Sequence, residues 1–291
     1  MQIKVEHLNY TYSKGNKNLA VKALSDINLE INEGDFFGII GHTGSGKSTF
    51  VQHLNGLIKV DKESGKITIG EFDLSDKKCD YKSLRSRVGM VFQYPEYQLF
   101  AETVFDDVAF GLKNFYPSLN STEVEDRVRK ALELVGLNYF SVKDRSPFEF
   151  SGGQKRRIAI AGVLVTEPEI LVLDEPVAGL DPVGKKDFLS LLNTLKQMFV
   201  KTIIIVTHDM NIVSEYCNRV AVFSHGKIVK EGSPSDVFND RKEIESLGLE
   251  LPVTVSLFDK LKEKGIDIPL RLKREEFIGE LIKKFSRGEK R

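Results

Sequence analysis

The sequence predicts an α/β fold built around a phosphate-binding core, and three stretches predict it. Gly41-His42-Thr43-Gly44-Ser45-Gly46-Lys47-Ser48 fits the pattern G-x-x-x-x-G-K-[ST], between the apolar run Phe36 to Ile40 and an amphipathic segment. Ile170 to Leu173 are four consecutive aliphatic residues ending in Asp174 and Glu175. Thr202 to Val206 form a β-branched run ending at Thr207 and His208. Runs without a polar face suit central parallel strands covered on both sides, and ligands of such sheets gather beyond the strand ends.

The elements follow in chain order. Met1 to Val5 reads straight into a strand, with no signal-peptide pattern. Tyr10 and Tyr12 share a face of that strand, and either ring can stack on a base. Gly34 marks a hairpin-like turn, and Gly65 to Gly70 a second with a short strand. Residues 1 to about 90 thus read as antiparallel sheet followed by the nucleotide core. Phe50 to Leu57 is an amphipathic helix ended by glycine, and Val88 to Val91 a third core strand with Gln93 at its polar end. Residues about 94 to 165 read helical. Within them Val104 to Phe110 has helical spacing with a stop at Gly111. Thr122 and Glu125 resemble a capping box ahead of Val128, Leu132, Leu134 and Val135. Val220 to Phe223 closes the core.

Beyond about residue 235 two apolar stripes remain, Leu257, Phe258 and Leu261 up to Gly265, then Phe277, Ile278, Leu281, Ile282 and Phe285. Pro252 and Pro269 punctuate them, and each fits a helix that buries one face. They are either packed on their own domain or form a dimerisation appendage that keeps subunits together without nucleotide. Lys283, Lys284 and Arg287 to Arg291 read as a solvated tail.

The residue types indicate ATP chemistry. Glycines let the loop backbone wrap an anion, and the helix start adds its positive dipole end. Lys47 reaches the β- and γ-phosphates, Ser48 ligates Mg²⁺, and Thr49 lies beside the α-phosphate. Asp174 holds the Mg²⁺ shell, Glu175 orients and polarises the attacking water, and His208 contacts the γ-phosphate. Gln93 accepts from Mg²⁺-bound water and donates to the nucleophile. Phosphoryl transfer leaves a protein mainly positioning and charge stabilisation to do.

With 291 residues, 42 basic against 42 acidic, and 41% hydrophobic, the chain supports one large core plus an appendage. No apolar run approaches the roughly 20 residues needed to span a bilayer. Cys79 and Cys217 sit singly and suggest neither a disulfide framework nor a metal site. Zero net charge gives no general attraction to nucleic acid or anionic lipid. The expectation is a cytosolic protein that reaches the membrane through a protein partner.

These motifs together resemble the nucleotide-binding subunits of ATP-binding-cassette (ABC) transporters, over roughly residues 1 to 235. Tyr12 matches the adenine-stacking aromatic, Gly41 to Thr49 the Walker A loop, and Gln93 the Q-loop. Ser151, Gly152, Gly153 and Gln154 match the family signature, with Phe150 in place of the usual leucine. Ile170 to Glu175 match the Walker B strand, Ala178 to Asp181 the D-loop, and His208 the switch histidine. The resemblance implies an ABC-type nucleotide-binding domain: a RecA-like core with an antiparallel β subdomain, a helical subdomain at about 94 to 165 carrying the signature, and the C-terminal helical appendage at 236 to 291. It further implies a head-to-tail pair, in which Ser151 and Gly153 of one subunit contact the γ-phosphate held by the other, with Asp181 between the two sites.

Gln93-Tyr94-Pro95-Glu96-Tyr97-Gln98-Leu99-Phe100 is similar to the ATPases of energy-coupling-factor vitamin importers, and more to the second of their two paralogues. That implies a heterodimer with the other ATPase, a transmembrane coupling protein docked along Glu96 to Phe100, a separate substrate-binding membrane subunit, and a place on the cytoplasmic face of the membrane. A homodimer is the other arrangement the tail supports. The rival readings are another ABC importer or efflux system, and a non-transport ABC ATPase acting on nucleic acid or ribosomes. Against the latter stand the missing coiled coils, second cassette and basic bias.

Overall fold

The computed structural model describes residues 1–13, 20–61 and 63–286. The basic stretch Arg287 to Arg291 lies outside them.

The chain begins with β1 (Ile3–Tyr12) and β2 (Val21–Ile31), an antiparallel pair. It then crosses into a second sheet as β3 (Phe36–Gly41), followed by the phosphate loop and α1 (Lys47–Leu54). The turn at Gly34 is therefore no hairpin: it hands the chain from one sheet to the other. β4 (Lys66–Ile69) and β5 (Phe72–Asp73) return to the first sheet, whose order is β2-β1-β4-β5. α2 (Tyr81–Arg87) leads to β6 (Val88–Val91), and a 3₁₀ turn, Pro95–Gln98, precedes the helical region. That region holds α3 (Val104–Phe115), α4 (Ser121–Leu134), α5 (Tyr139–Val142) and α6 (Gly152–Leu164). The core resumes with β7 (Ile170–Asp174), α7 (Pro182–Met198), β8 (Thr202–Val206), α8 (Met210–Tyr216), β9 (Arg219–Ser224) and β10 (Lys227–Gly232). Four helices finish the described chain: α9 (Pro234–Asn239), α10 (Arg241–Ser246), α11 (Val253–Glu263) and α12 (Arg274–Ser286).

Among the described residues the second sheet has the order β10-β9-β3-β8-β7-β6. Its strands are parallel except β10, which pairs antiparallel with β9. β10, not β9, thus closes this edge. Alternation along the buried strands divides the interior in two. Phe37, Ile39, Val172, Ile204 and Val206 face the antiparallel sheet and α1, with Ile3, Leu8, Leu24 and Phe50. Phe36, Ile40, Leu171, Leu173, Ile203 and Ile205 face the helices, with Val108, Ile158, Leu192 and Val213. No described helix is long and apolar enough to cross a membrane.

Three local expectations are corrected. Gly111 does not end a helix: α3 continues to Phe115. A Cβ on Gly111 would stand 3.7 Å from the Gly162 carbonyl oxygen, an ordinary contact, so the helix runs through this glycine where α3 crosses α6 without requiring it. The capping box of α4 is Asn120 with Glu123, two residues earlier than Thr122 with Glu125. Asn120 Oδ1 accepts from Glu123 N at 3.0 Å, and Glu123 Oε2 accepts from Asn120 N at 2.9 Å. The tail also departs from two helices each burying its stripe. Val237 and Phe238 of α9, Ile244 of α10 and Val255 of α11 join the core beneath the helices. Phe277 of α12 is buried, whereas Leu257, Ile278, Ile282 and Phe285 are exposed.

Candidate functional site

The phosphate loop lies between the end of β3 and the start of α1. Gly46 N-caps α1 at φ +104°, and a Cβ there would come within 2.5 Å of the Ala23 carbonyl oxygen, so the position requires glycine. The β9–β10 turn braces the loop from outside, Gly226 N donating to Ser45 O at 3.0 Å. Lys47 Nζ folds back and donates to Gly41 O at 2.7 Å and His42 O at 2.9 Å. Burial pulls its pKa down, and the charges of Glu175 and Asp174 oppose that pull. A cavity of about 260 Å³ opens over Gly44, Gly46, Lys47, Ser48 and Thr49, with Tyr12, Val21 and Ala23 on its other wall. Tyr12 Oη lies 3.1 Å from Thr49 Oγ1. Tyr10 does not line the cavity. Its ring meets Tyr12 edge-on at 4.9 Å and His53 at 5.0 Å, buttressing Tyr12 from behind.

The parallel sheet brings the two carboxylates here, because β7 and β8 end at one level, Asp174 paired with Val206. Ser48 Oγ donates to Asp174 Oδ1 at 3.2 Å. Burial raises the Asp174 pKa, against the Ser48 hydrogen bond and the Lys47 charge. Glu175 N donates to Val206 O at 3.0 Å, and the residue takes φ +50°. Its Oε2 is 2.8 Å from His208 Nδ1. Burial raises the Glu175 pKa, with His208 and Lys47 opposing. Asp209 caps α8 and pairs with Lys185 of α7, which fixes the loop carrying His208. Gln93 follows β6 and is exposed.

Ser151 to Gln154 stand elsewhere. Ser151 N-caps α6 in a capping box with Gln154, Ser151 N donating to Gln154 Oε1 at 3.2 Å. A Cβ on Gly152 or Gly153 would meet nothing within 4 Å, so this helix start faces open space. Gly153 lines a separate cleft of about 640 Å³ with Gly179, Leu180 and Asp181. Asp181 caps α7, accepting from Gly184 N at 2.7 Å. The fold thus gathers Tyr12, Lys47, Ser48, Thr49, Asp174, Glu175 and His208 around one site, and places the signature with the D-loop segment at another. Arg156, Ala23 and Gly226 also belong to these sites and escaped sequence reasoning. Ala23 and Gly226 act through their backbones, and nothing in the local spacing of Lys155, Arg156 and Arg157 after the signature separates the buried arginine from its neighbours.

The segment after Gln93 presents a row of aromatics. Tyr97 is 84% exposed, Tyr94, Phe100 and Phe110 are exposed beside it, and Phe100 meets Phe110 edge-on at 4.8 Å.

Comparison with known proteins gives concordant findings. The family model for the ABC transporter matches residues 24–178. An energy-coupling factor transporter ATP-binding protein EcfA2 from Clostridium tetani is 48% identical over 268 residues, 92% of this chain and 91% of that protein. The protein of the same name from Caldanaerobacter subterraneus is 46% identical over 290 residues, covering 100% and 99%. Among solved structures, cbiO1 of Clostridium perfringens, described as part of the ABC transporter complex cbiONQ, is 40% identical at a TM-score of 0.71, covering 88% of this chain and 98% of that one. A dimeric ATP-binding cassette in a post-hydrolysis state with ADP and Pi is 30% identical at a TM-score of 0.70, covering 80% and 98%.

Proposed function

The chain belongs to the ABC transporter family, and from that premise we propose that it is the ATP-binding and ATP-hydrolysing subunit that powers an energy-coupling-factor importer of vitamins or other micronutrients. One observation carries the reading. Tyr12 and Gly44 to Thr49 line one cavity, while Gly153 of the signature lines a different cleft beside Asp181, so no signature residue lies on the phosphate-loop cavity of its own chain. A second cassette, placed head to tail, would supply the missing half.

In this reading Tyr12 stacks on adenine and Thr49 lies beside the α-phosphate. The ammonium of Lys47, now on the carbonyls of Gly41 and His42, turns to the β- and γ-phosphates, while the amides of the 41–46 loop receive the rest of the negative charge. Ser48 Oγ and Asp174 Oδ1, 3.2 Å apart, are hard oxygen donors with one charge between them, a set that suits Mg²⁺, which keeps most of its shell for phosphate and water. When bound, Mg²⁺ supplies charge neutralisation at the phosphates. Glu175 accepts the proton side of the attacking water, Gln93 positions that water, and His208 holds Glu175 while reaching for the γ-phosphate. Ser151 and Gly153 of the second cassette close on the same γ-phosphate. Its loss on hydrolysis removes the contact that distinguishes closed from open, which makes the pair a switch.

The partners follow from the same surfaces. A paralogous cassette is favoured for the second half-site, giving a heterodimer. The Tyr94, Tyr97, Phe100 and Phe110 row suits helices of a transmembrane coupling protein, itself joined to a substrate-binding membrane subunit, which places this chain at the cytoplasmic face of the membrane. The exposed faces of α11 and α12 suit contact between cassettes without nucleotide. Affinity purification of the tagged chain from detergent-solubilised native membranes is the test. Recovery of a paralogous ATPase, a coupling membrane protein and small substrate-binding membrane proteins is expected. Recovery of a conventional permease pair would overturn the importer class, and ribosomes or DNA without membrane protein would overturn transport.

A further inference from the structure

Glu175 holds φ +50°, a conformation that a non-glycine residue keeps only when its surroundings impose it. Behind it the turn is tied by Arg156 of α6. Arg156 Nη1 donates to Ala178 O at 2.8 Å and Nη2 donates to Pro176 O, so one guanidinium spans both carbonyls flanking Val177. Arg156 is 5% exposed. Its Nε is buried without an acceptor among the described residues, and Glu96 Oε2 is buried without a donor. α6 packs directly on the 3₁₀ turn that carries Glu96. The Arg156 pKa is lowered by burial and raised by the Glu96 charge, which marks the two as neighbours. Tyr94 reaches the same turn, with Cε1 3.7 Å from where a Cβ on Gly179 would stand.

We propose that Arg156 is a positioning residue for Glu175, holding the turn after the carboxylate in register with Tyr94–Gln98, and that Glu96 is the counter-charge through which a partner docked on that segment alters this hold. Arginine suits the task because its fork can engage two carbonyls while Nε stays free for a third acceptor. A buried cation keeps its place by its remaining contacts. When a partner's cation takes Glu96, the guanidinium draws fully onto the carbonyls of Pro176 and Ala178. When Glu96 is released, the hold is shared. The link to docking rests on the reading of the aromatic row as the membrane-protein contact.

The test uses the chain assembled with its transporter partners. Arg156→Met, Arg156→Lys, Glu96→Gln and the double variant Glu96→Gln/Arg156→Met are compared for ATP turnover, KM, fluorescent-nucleotide affinity and thermal midpoint. Arg156→Met is expected to lower kcat about tenfold with nucleotide affinity within about twofold, because it acts only on the catalytic geometry. Arg156→Lys, which keeps the charge but not the fork, recovers part of that loss. Glu96→Gln, which frees the guanidinium for the carbonyls as docking does, leaves turnover of the assembled complex within about twofold, raises that of the ATPase pair without membrane partners about threefold, and adds almost nothing to Arg156→Met. A kcat unchanged in Arg156→Met and Arg156→Lys overturns the proposal, as does a parallel loss of kcat and affinity. Independent effects of Glu96 and Arg156 overturn the link to docking. If Arg156→Met does not fold, the kcat and KM of Arg156→Lys decide. Glu175→Gln is run alongside: normal turnover there sinks the assignment of Glu175 itself, whereas its loss with an unaffected Arg156→Met sinks this proposal alone.

Discussion

Glu175 and Asp174 are adjacent in sequence and differ in what holds them. Asp174 is buried and bonded to Ser48, while Glu175 turns out of the strand toward His208. Glu175→Gln keeps size and removes the acceptor for the water's proton. It is expected to lower ATP turnover at least about 100-fold while retaining nucleotide binding, and to accumulate an ATP-bound dimer on size exclusion. Undiminished turnover would remove Glu175 from the mechanism. Asp174 makes a stability prediction. Its folded pKa lies above its unfolded value because burial disfavours the charge. The folded state therefore binds more protons than the unfolded state between the two values, and stability is lost as pH rises through that window. Asp174→Asn abolishes the charge. Without nucleotide or Mg²⁺ it should raise the thermal midpoint at pH 7, with the gain vanishing in acid, where Asp174 is itself neutral. A gain that persists in acid would show a cause other than this charge.

At the scale of elements, the α4 start distinguishes what pattern shows from what it hides. Asn120→Ala should cost about 1 kcal/mol, because it removes the acceptor for Glu123 N and one side of the reciprocal box. Thr122→Ala, at the position the sequence pattern favoured, should change the unfolding free energy from denaturant titration by less than about 0.5 kcal/mol. Equal losses would move the cap back to Thr122. The two boxes share the same side-chain spacing, so sequence alone left them undivided. The decision lay with the chain leaving Tyr116 and the burial of Val124, Val128 and Leu132 against α6. Gly111 teaches the same lesson. A glycine within helical spacing reads as a stop, yet here the helix runs on through it to Phe115, packed along α6. Strands were more legible. Ile170 to Leu173 and Thr202 to Val206 have no polar face, and only a sheet layered on both sides accommodates that. β10, alternately exposed and half-buried as an edge strand, gave no comparable signal.

For the whole molecule, the exposed stripe of α11 and α12 sets the assembly prediction. Ile282 is 60% exposed, with Leu257, Ile278 and Phe285 also uncovered. Ile278→Asp with Ile282→Glu should abolish nucleotide-free association with the partner cassette, measured by sedimentation, while leaving the isolated chain's thermal midpoint within about 2 °C, since neither side chain is in the core. Unchanged association would remove the tail from the interface. The sequence by itself located the loop, the strand ending in two carboxylates and the signature at a helix start, because those spacings are local: a glycine-rich turn followed by Lys47, or a strand ending in two acids, carries its geometry in a few residues. Tertiary structure alone decided that Tyr10 packs behind Tyr12 on His53, that Arg156 is buried against the turn behind Glu175, and that the tail feeds Val237, Phe238 and Val255 into the core while leaving its outer face bare. Each depends on which distant element arrives against a residue, and no local spacing encodes that arrival.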